Sequence, residues 1–128
     1  MEKFVIIKSV EAEHNEETGK YKVVNTDGYT TECPFDVFNE TAFNVKENEL
    51  AASALDMVSA NFKDRFRAEY TQLDIRCQRL QVMLQNWRDG KLQFMPKCNY
   101  GILDMQLQHM MAYKSILEAR AKIEGIEL

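Results

Sequence analysis

The hydrophobic pattern changes period partway along the chain. Residues 3–10, KFVIIKSV, are dense in β-branched side chains and predict a strand. The polar stretch EHNEETG that follows predicts a turn. In KYKVV, Tyr21 and Val23 alternate with lysines, which predicts a second strand with one face exposed. Asp27-Gly28 carries the chemistry of a two-residue hairpin turn, because glycine tolerates positive φ. Tyr29 to Glu32 then reads as a third short strand. Pro34 suits the opening of a helix, where its missing N–H is not needed. That helix would turn Phe35, Phe38, Ala42 and Phe43 toward the ribbon. A unit of about 45 residues buries little surface by itself, so it is expected to lean on the rest of the chain or on a second subunit.

From residue 59 onward the period becomes helical. Residues 44–58 read as a linker that turns into a short helix near Glu49, and Ser59 as the N-cap of the next helix. Phe62, Phe66, Tyr70, Leu73, Cys77, Leu80, Leu84 and Trp87 follow spacings of four and three, the mark of a long amphipathic helix. Asp89-Gly90 ends it, and KLQFMPKCNYG is a loop punctuated by Pro96 and Gly101. A last helix over roughly 100–124 sets Leu103, Leu107, Met110, Leu117 and Ala121 on one stripe. Two long helices with a short connection pack antiparallel. The expected fold is therefore α+β. A small antiparallel β-ribbon with a short helix (1–45) leads through a linker (46–58) to an antiparallel α-helical hairpin (59–128). A hairpin alone cannot bury both stripes well, so it is expected to need the N-terminal unit, a partner copy or both, and the chain is expected to be a homo-oligomer.

Composition narrows the function. The net charge of −4 is unevenly divided. Residues 1–58 hold five Lys against twelve Asp or Glu, a balance of −7, and residues 59–128 hold eleven Lys or Arg against eight, a balance of +3. All six arginines lie in the second part: Arg65, Arg67, Arg76, Arg79, Arg88 and Arg120. An acidic protein is poorly suited to grip long nucleic acid, whereas a local arginine site for a small anion fits the distribution. No apolar run reaches the length of a membrane span, and MEKFVIIKSVEAE lacks the apolar core of a signal peptide. Cys33, Cys77 and Cys98 form neither a disulfide framework nor a zinc pattern. The expected location is a cytoplasm. There is no GxGxxG, GKS, GKT, HExxH or GxSxG. The two histidines, His14 and His109, are far apart in sequence. No enzyme activity, cofactor or metal is expected.

The sharpest signal is LDMQLQHMMAYKSILEAR, residues 103–120, where Gln106, Tyr113 and Arg120 recur every seven residues. At 100° per residue they form one column beside the main apolar stripe. Met105, Ile116 and Ile123 lie on the column's other side, so polar side chains stand between two apolar flanks. On the preceding helix Arg65, Glu69, Gln72, Arg76 and Arg79 form a comparable column. Two readings fit. In one, Arg65, Glu69, Arg76, Gln106, Tyr113 and Arg120 bind a small anionic nucleotide: guanidinium takes phosphate, amide reads an edge, and the ring stacks. In the other, the same groups make interhelical hydrogen bonds and ion pairs that set the pairing register.

Two stretches resemble known families. DGYTTECPFDVFNETAF is similar to a small module of phage-encoded proteins, through Asp27, Gly28, Tyr29, Pro34, Val37, Phe38, Ala42 and Phe43. Members of that group often have Ser-Trp-Ser before the proline, where this chain has Thr31, Glu32 and Cys33. Residues 59–128 resemble a helical-hairpin family of crAss-like and other phages. The matching positions are Arg65, Glu69, Leu73, Arg76 and Leu80, then Leu103, Gln106, Met110, Tyr113, Leu117 and Arg120. The resemblance implies a phage accessory protein acting in the cytoplasm of an infected bacterium. It further implies an oligomeric sponge that sequesters a nucleotide immune signal, of the cyclic ADP-ribose type or a cyclic dinucleotide, without turnover. The alternative is an oligomeric adaptor that modulates a host protein.

Overall fold

The structure is a computed structural model that describes residues 1–128. The chain divides into two compact units, Met1–Leu55 and Asp56–Leu128. The architecture is α+β: a three-stranded antiparallel sheet followed by four helices.

In the first unit, β1 (Glu11–Asn15), β2 (Lys20–Val24) and β3 (Thr30–Pro34) lie in the order β1-β2-β3. Their register sets Ala12, Val23 and Thr31 in one row and His14, Tyr21 and Cys33 in another, on the same face. The opposite face carries Glu13, Lys22 and Glu32 in a row, so unlike charges adjoin across the strands. Helix α1 (Phe35–Thr41) starts directly at Pro34. It stacks Phe38 on the Tyr21 ring at 4.1 Å, with Phe35 and His14 centroids 5.1 Å apart. Phe43 points outward and is exposed.

The strand expected over residues 3–10 does not form; the first strand is EAEHN. The reason lies in the turn. The Asn15 carboxamide accepts from the Glu17 and Thr18 N–H groups, and Gly19 N–H donates to the Asn15 carbonyl. This closes a four-residue turn and pairs Asn15 with Lys20. β2 is five residues long, so its last residue, Val24, meets Glu11. Residues 3–10 run past the end of β2, where no strand is left to pair them. The second turn also differs from expectation. Gly28 N–H donates to the Asn25 carbonyl and Asn25 N–H to the Tyr29 carbonyl, which closes a three-residue loop. Gly28 takes the left-handed position at φ 87°, as such loops require.

Helix α2 (Glu49–Met57) contains the division between the units. In the second unit, α3 (Phe62–Arg88) and α4 (Tyr100–Glu124) form the hairpin. The N-cap of α3 is Asn61 rather than Ser59, its side chain accepting from Lys63 N–H at 2.9 Å. Ser59 stands further out: its hydroxyl accepts from Asn61 N–H and donates to Asp64, so it braces the cap. Asn99 caps α4, its side chain accepting from Ile102 N–H three residues on, where Asn61 takes the N–H two residues on. Gly125, at φ 68°, ends α4 with an Ile126 N–H bond back to the Ala121 carbonyl, a turn that folds Ile126 into the core.

The core of this unit is Phe66, Leu73, Cys77, Leu84, Leu107, Leu117, Ala121 and Ile126, flanked by Tyr70, Leu80, Trp87, Leu103 and Met110. Burial of a leucine side chain contributes roughly 1.5–3 kcal/mol, and Leu84 and Leu117 are the most completely buried. Contacts pair the two ends of the helices in opposite order. Arg88 donates to the Tyr100 hydroxyl at the loop end, and Arg67 donates to the Glu127 carbonyl at the open end.

Candidate functional site

The hairpin has two polar edges, one on each side of the buried seam. The first is a cross-helix network that sequence reasoning passed over. Lys114 Nζ lies 2.6 Å from Asp74 Oδ1, an oxygen shielded from solvent, and Gln78 donates to Asp74 Oδ2. Tyr70 donates to Glu118, and Lys114 also lies over the Tyr70 ring at 5.9 Å. The hydrogen bond with Asp74 is the main cause that raises the Lys114 pKa above its ordinary value. Burial, then the bond to Glu118, raises that of Tyr70. Burial likewise pushes up the Cys77 thiol, which keeps it protonated and unreactive. The sequence signal was present: Tyr70/Asp74 and Lys114/Glu118 are pairs four apart beside the apolar stripes. This edge ties the helices together, with Tyr70, Asp74 and Lys114 partly buried and Gln78 and Glu118 exposed.

The second edge carries the six nominated residues, on one side of each helix by phase. The structure brings Tyr113 and Glu69 together directly, the phenol donating to the carboxylate. Arg120 lies over the Phe66 ring at 5.0 Å and 3.6 Å from Glu124. An arginine over an aromatic face is attracted to the ring yet keeps its outer N–H groups available. Arg65 turns away along its own helix and donates to the Ser59 carbonyl at 2.7 Å. Gln106 reaches the Met110 sulfur, and Arg76 is exposed. The six residues thus share an edge, but Glu69–Tyr113 is the contact that joins the two helices there.

This edge is open. Tyr113 is 42% exposed, and on the far side of its column Met105, Ile116 and Ile123 are 60%, 60% and 84% exposed. The expected second apolar flank therefore exists and has no partner within the chain's own hairpin. Chemically, the edge offers a carboxamide, a ring and a guanidinium, each about two helical turns from the next, beside an uncovered apolar strip. A separate shallow concavity, lined by Ser9, Val10, Glu11, Val24, Asn25 and Thr26, has a carboxylate as its one charged group and does not suit an anion. No helix is long and apolar enough to cross a membrane.

A family model described as Sequestin matches residues 60–123, half of the chain. No curated protein and no solved structure matches. The matched segment spans α3 and nearly all of α4, and all six nominated residues lie inside it.

Proposed function

Because the chain belongs to the Sequestin family, whose name denotes sequestration, we propose that it binds and holds a small anionic nucleotide without turning it over. The binding edge is that of Arg65, Glu69, Arg76, Gln106, Tyr113 and Arg120. The reading places the protein in a phage-infected bacterium. There it would remove a nucleotide immune signal of the cyclic ADP-ribose or cyclic dinucleotide type from the cytoplasm.

One observation carries the proposal. Within the matched segment, the Arg120 guanidinium and the Tyr113 ring stand exposed on the same edge of α4, beside an apolar strip. Guanidinium groups recognise phosphate in bidentate fashion, and an exposed ring is a stacking platform for a base. Glu69 orients the Tyr113 hydroxyl and offers a carboxylate acceptor for a ribose hydroxyl or base amine. Arg76 and Arg65 extend the positive charge along α3.

The test is a thermal-shift screen of the purified chain with cyclic dinucleotides, cyclic ADP-ribose isomers and ADP-ribose. A ligand at a hundred times its dissociation constant stabilises by roughly 2.7 kcal/mol, well within detection. Arg120→Ala is expected to abolish the shift while leaving the unliganded melt close to that of the parent. Chromatography after incubation should return the ligand intact. A screen without a shift, or a shift that Arg120→Ala leaves untouched, refutes the proposal.

A further inference from the structure

Glu69 is the one acid among the six residues of the binding edge, which otherwise gathers three arginines. Its Oε2 accepts from the Tyr113 hydroxyl, and its Oε1 has no partner within the chain. Pairing the two helices does not call for that negative charge. A carboxamide would accept the same phenol hydrogen bond and would not repel a phosphate. The place of the charge shows what it can serve. A phenol oxygen lies in the plane of its ring, so the carboxylate bonded to it stands at the edge of the Tyr113 ring. That ring is 42% exposed. A base stacked on its open face presents its own edge on the side where Glu69 stands. Phosphate belongs further along. The Arg120 guanidinium lies over Phe66, three residues before Glu69 on α3, about 4.5 Å of helix rise. A cation and an acceptor therefore follow each other along the edge, in the order in which a nucleotide carries its phosphate and its base.

We propose that Glu69 reads the base of the bound nucleotide, and that the base it selects is guanine. This selection rests on the binding function proposed above, whose ligand class it narrows. An ionised carboxylate only accepts hydrogen bonds, and its two oxygens take two parallel donors. Among the common bases guanine alone sets two donors side by side, the ring N1–H and the 2-amino group. Adenine sets an acceptor, N1, beside its 6-amino donor. Cytosine sets N3 beside its 4-amino donor, and uracil has one donor between two carbonyls. Each of these turns a lone pair toward the carboxylate, and such a mismatch rejects the wrong ligand as well as favouring the right one. Hypoxanthine keeps N1–H and lacks the 2-amino group, so it makes half of the pair. The Tyr113 ring carries the base by stacking, and its hydroxyl fixes the carboxylate. Oε2 has lone pairs for both the phenol and a base N–H. Arg120 takes a phosphate.

Calorimetric titration of the full chain with GMP, IMP and AMP, and with cyclic diguanylate and cyclic diadenylate, reads the selection as a ratio within either set. A bidentate base contact discriminates by roughly tenfold or more, so each guanine ligand should bind at least tenfold tighter than its adenine counterpart, with IMP between. The 2′-deoxy guanine ligands should bind as the ribose ones do. Glu69→Gln keeps an acceptor for the Tyr113 hydroxyl and offers the base one donor and one acceptor, the pair that suits adenine. That variant should lose or reverse the guanine preference while its unliganded melt stays close to that of the parent. Tyr113→Phe keeps the ring, so it should weaken guanine and adenine ligands together and preserve the preference. A Glu69 that served only to hold Tyr113 would make the two variants alike, each with the parent's ratio, and that result overturns the proposal. Equal binding of guanine and adenine ligands by the parent overturns it too, and leaves the binding function standing. Weaker binding of the 2′-deoxy ligands would assign Glu69 to the ribose and overturn the base contact. A chain that binds no nucleotide overturns the binding function and the base selection together.

Discussion

Adjacent residues on α4, Ile116 and Leu117, put the packing of the hairpin to a quantitative test. Leu117 is 1% exposed and Ile116 is 60% exposed. Leu117→Ala removes three carbons, each contributing about 0.8 kcal/mol when buried, so the transfer loss is about 2.4 kcal/mol. The cavity left behind adds to that, and buried Leu→Ala changes span about 2–5 kcal/mol. Here Tyr70 and Met110 flank the core and are themselves half-buried, so they can close part of the gap. The expected cost is about 3 kcal/mol. Ile116→Ala removes the same number of carbons from a site that is mostly wet, so within one hairpin it costs about 1 kcal/mol or less. The assay is urea denaturation of the parent and both variants at several protein concentrations, fitted by linear extrapolation. The Leu117→Ala cost should be the same at every concentration. A Leu117→Ala loss below about 1 kcal/mol, or equal losses for the two at low concentration, would refute the assignment of Leu117 to the buried seam and Ile116 to the open one.

Three further outcomes follow from the geometry. Alkaline titration should destabilise the hairpin. Cys77, Tyr70 and Lys114 all have raised pKa values in the folded state, so their contribution is complete below their ordinary values of 9.0, 10.0 and 10.5 and is lost as pH rises through the folded ones. A melting temperature unchanged between pH 8 and 11 would contradict this. With a thiol-specific reagent, exposed Cys98 should react first and half-buried Cys33 next, while buried Cys77 waits for unfolding; rapid titration of all three would be the contrary result. Gly28→Ala forces a side chain into φ 87° and should cost about 1 kcal/mol even though the space around it is open, read as a lower urea midpoint of the ribbon's tyrosine signal.

The long helices were legible because their signals are local. Gly90, Pro96 and Gly101 punctuate them, and side chains from Phe66 to Leu84 and from Leu103 to Ala121 repeat at the helical period. The ribbon was legible in kind but not in register. FVII has the higher β-propensity, yet EAEHN pairs, because strand formation depends on a neighbour and β2 offers one for five residues. The site was legible as a column, since phase follows from spacing. Its contacts were not: periodicity alone did not place Arg65 on the Ser59 carbonyl, Arg120 over Phe66, or Tyr113 against Glu69.

What the sequence by itself determined is the α+β class, the hairpin, the apolar stripes that each helix carries and the edge on which Gln106, Tyr113 and Arg120 lie. These follow from backbone periodicity and from residues with strong local preferences. What the tertiary structure alone decided is which of two apolar flanks on α4 is filled. Leu103, Leu107 and Leu117 form a continuous leucine-rich surface that meets Leu73, Leu80 and Leu84. The isoleucine and alanine strip beside them is left in water. A helix pattern records every face that can be buried, and only the packed partner shows which one has been.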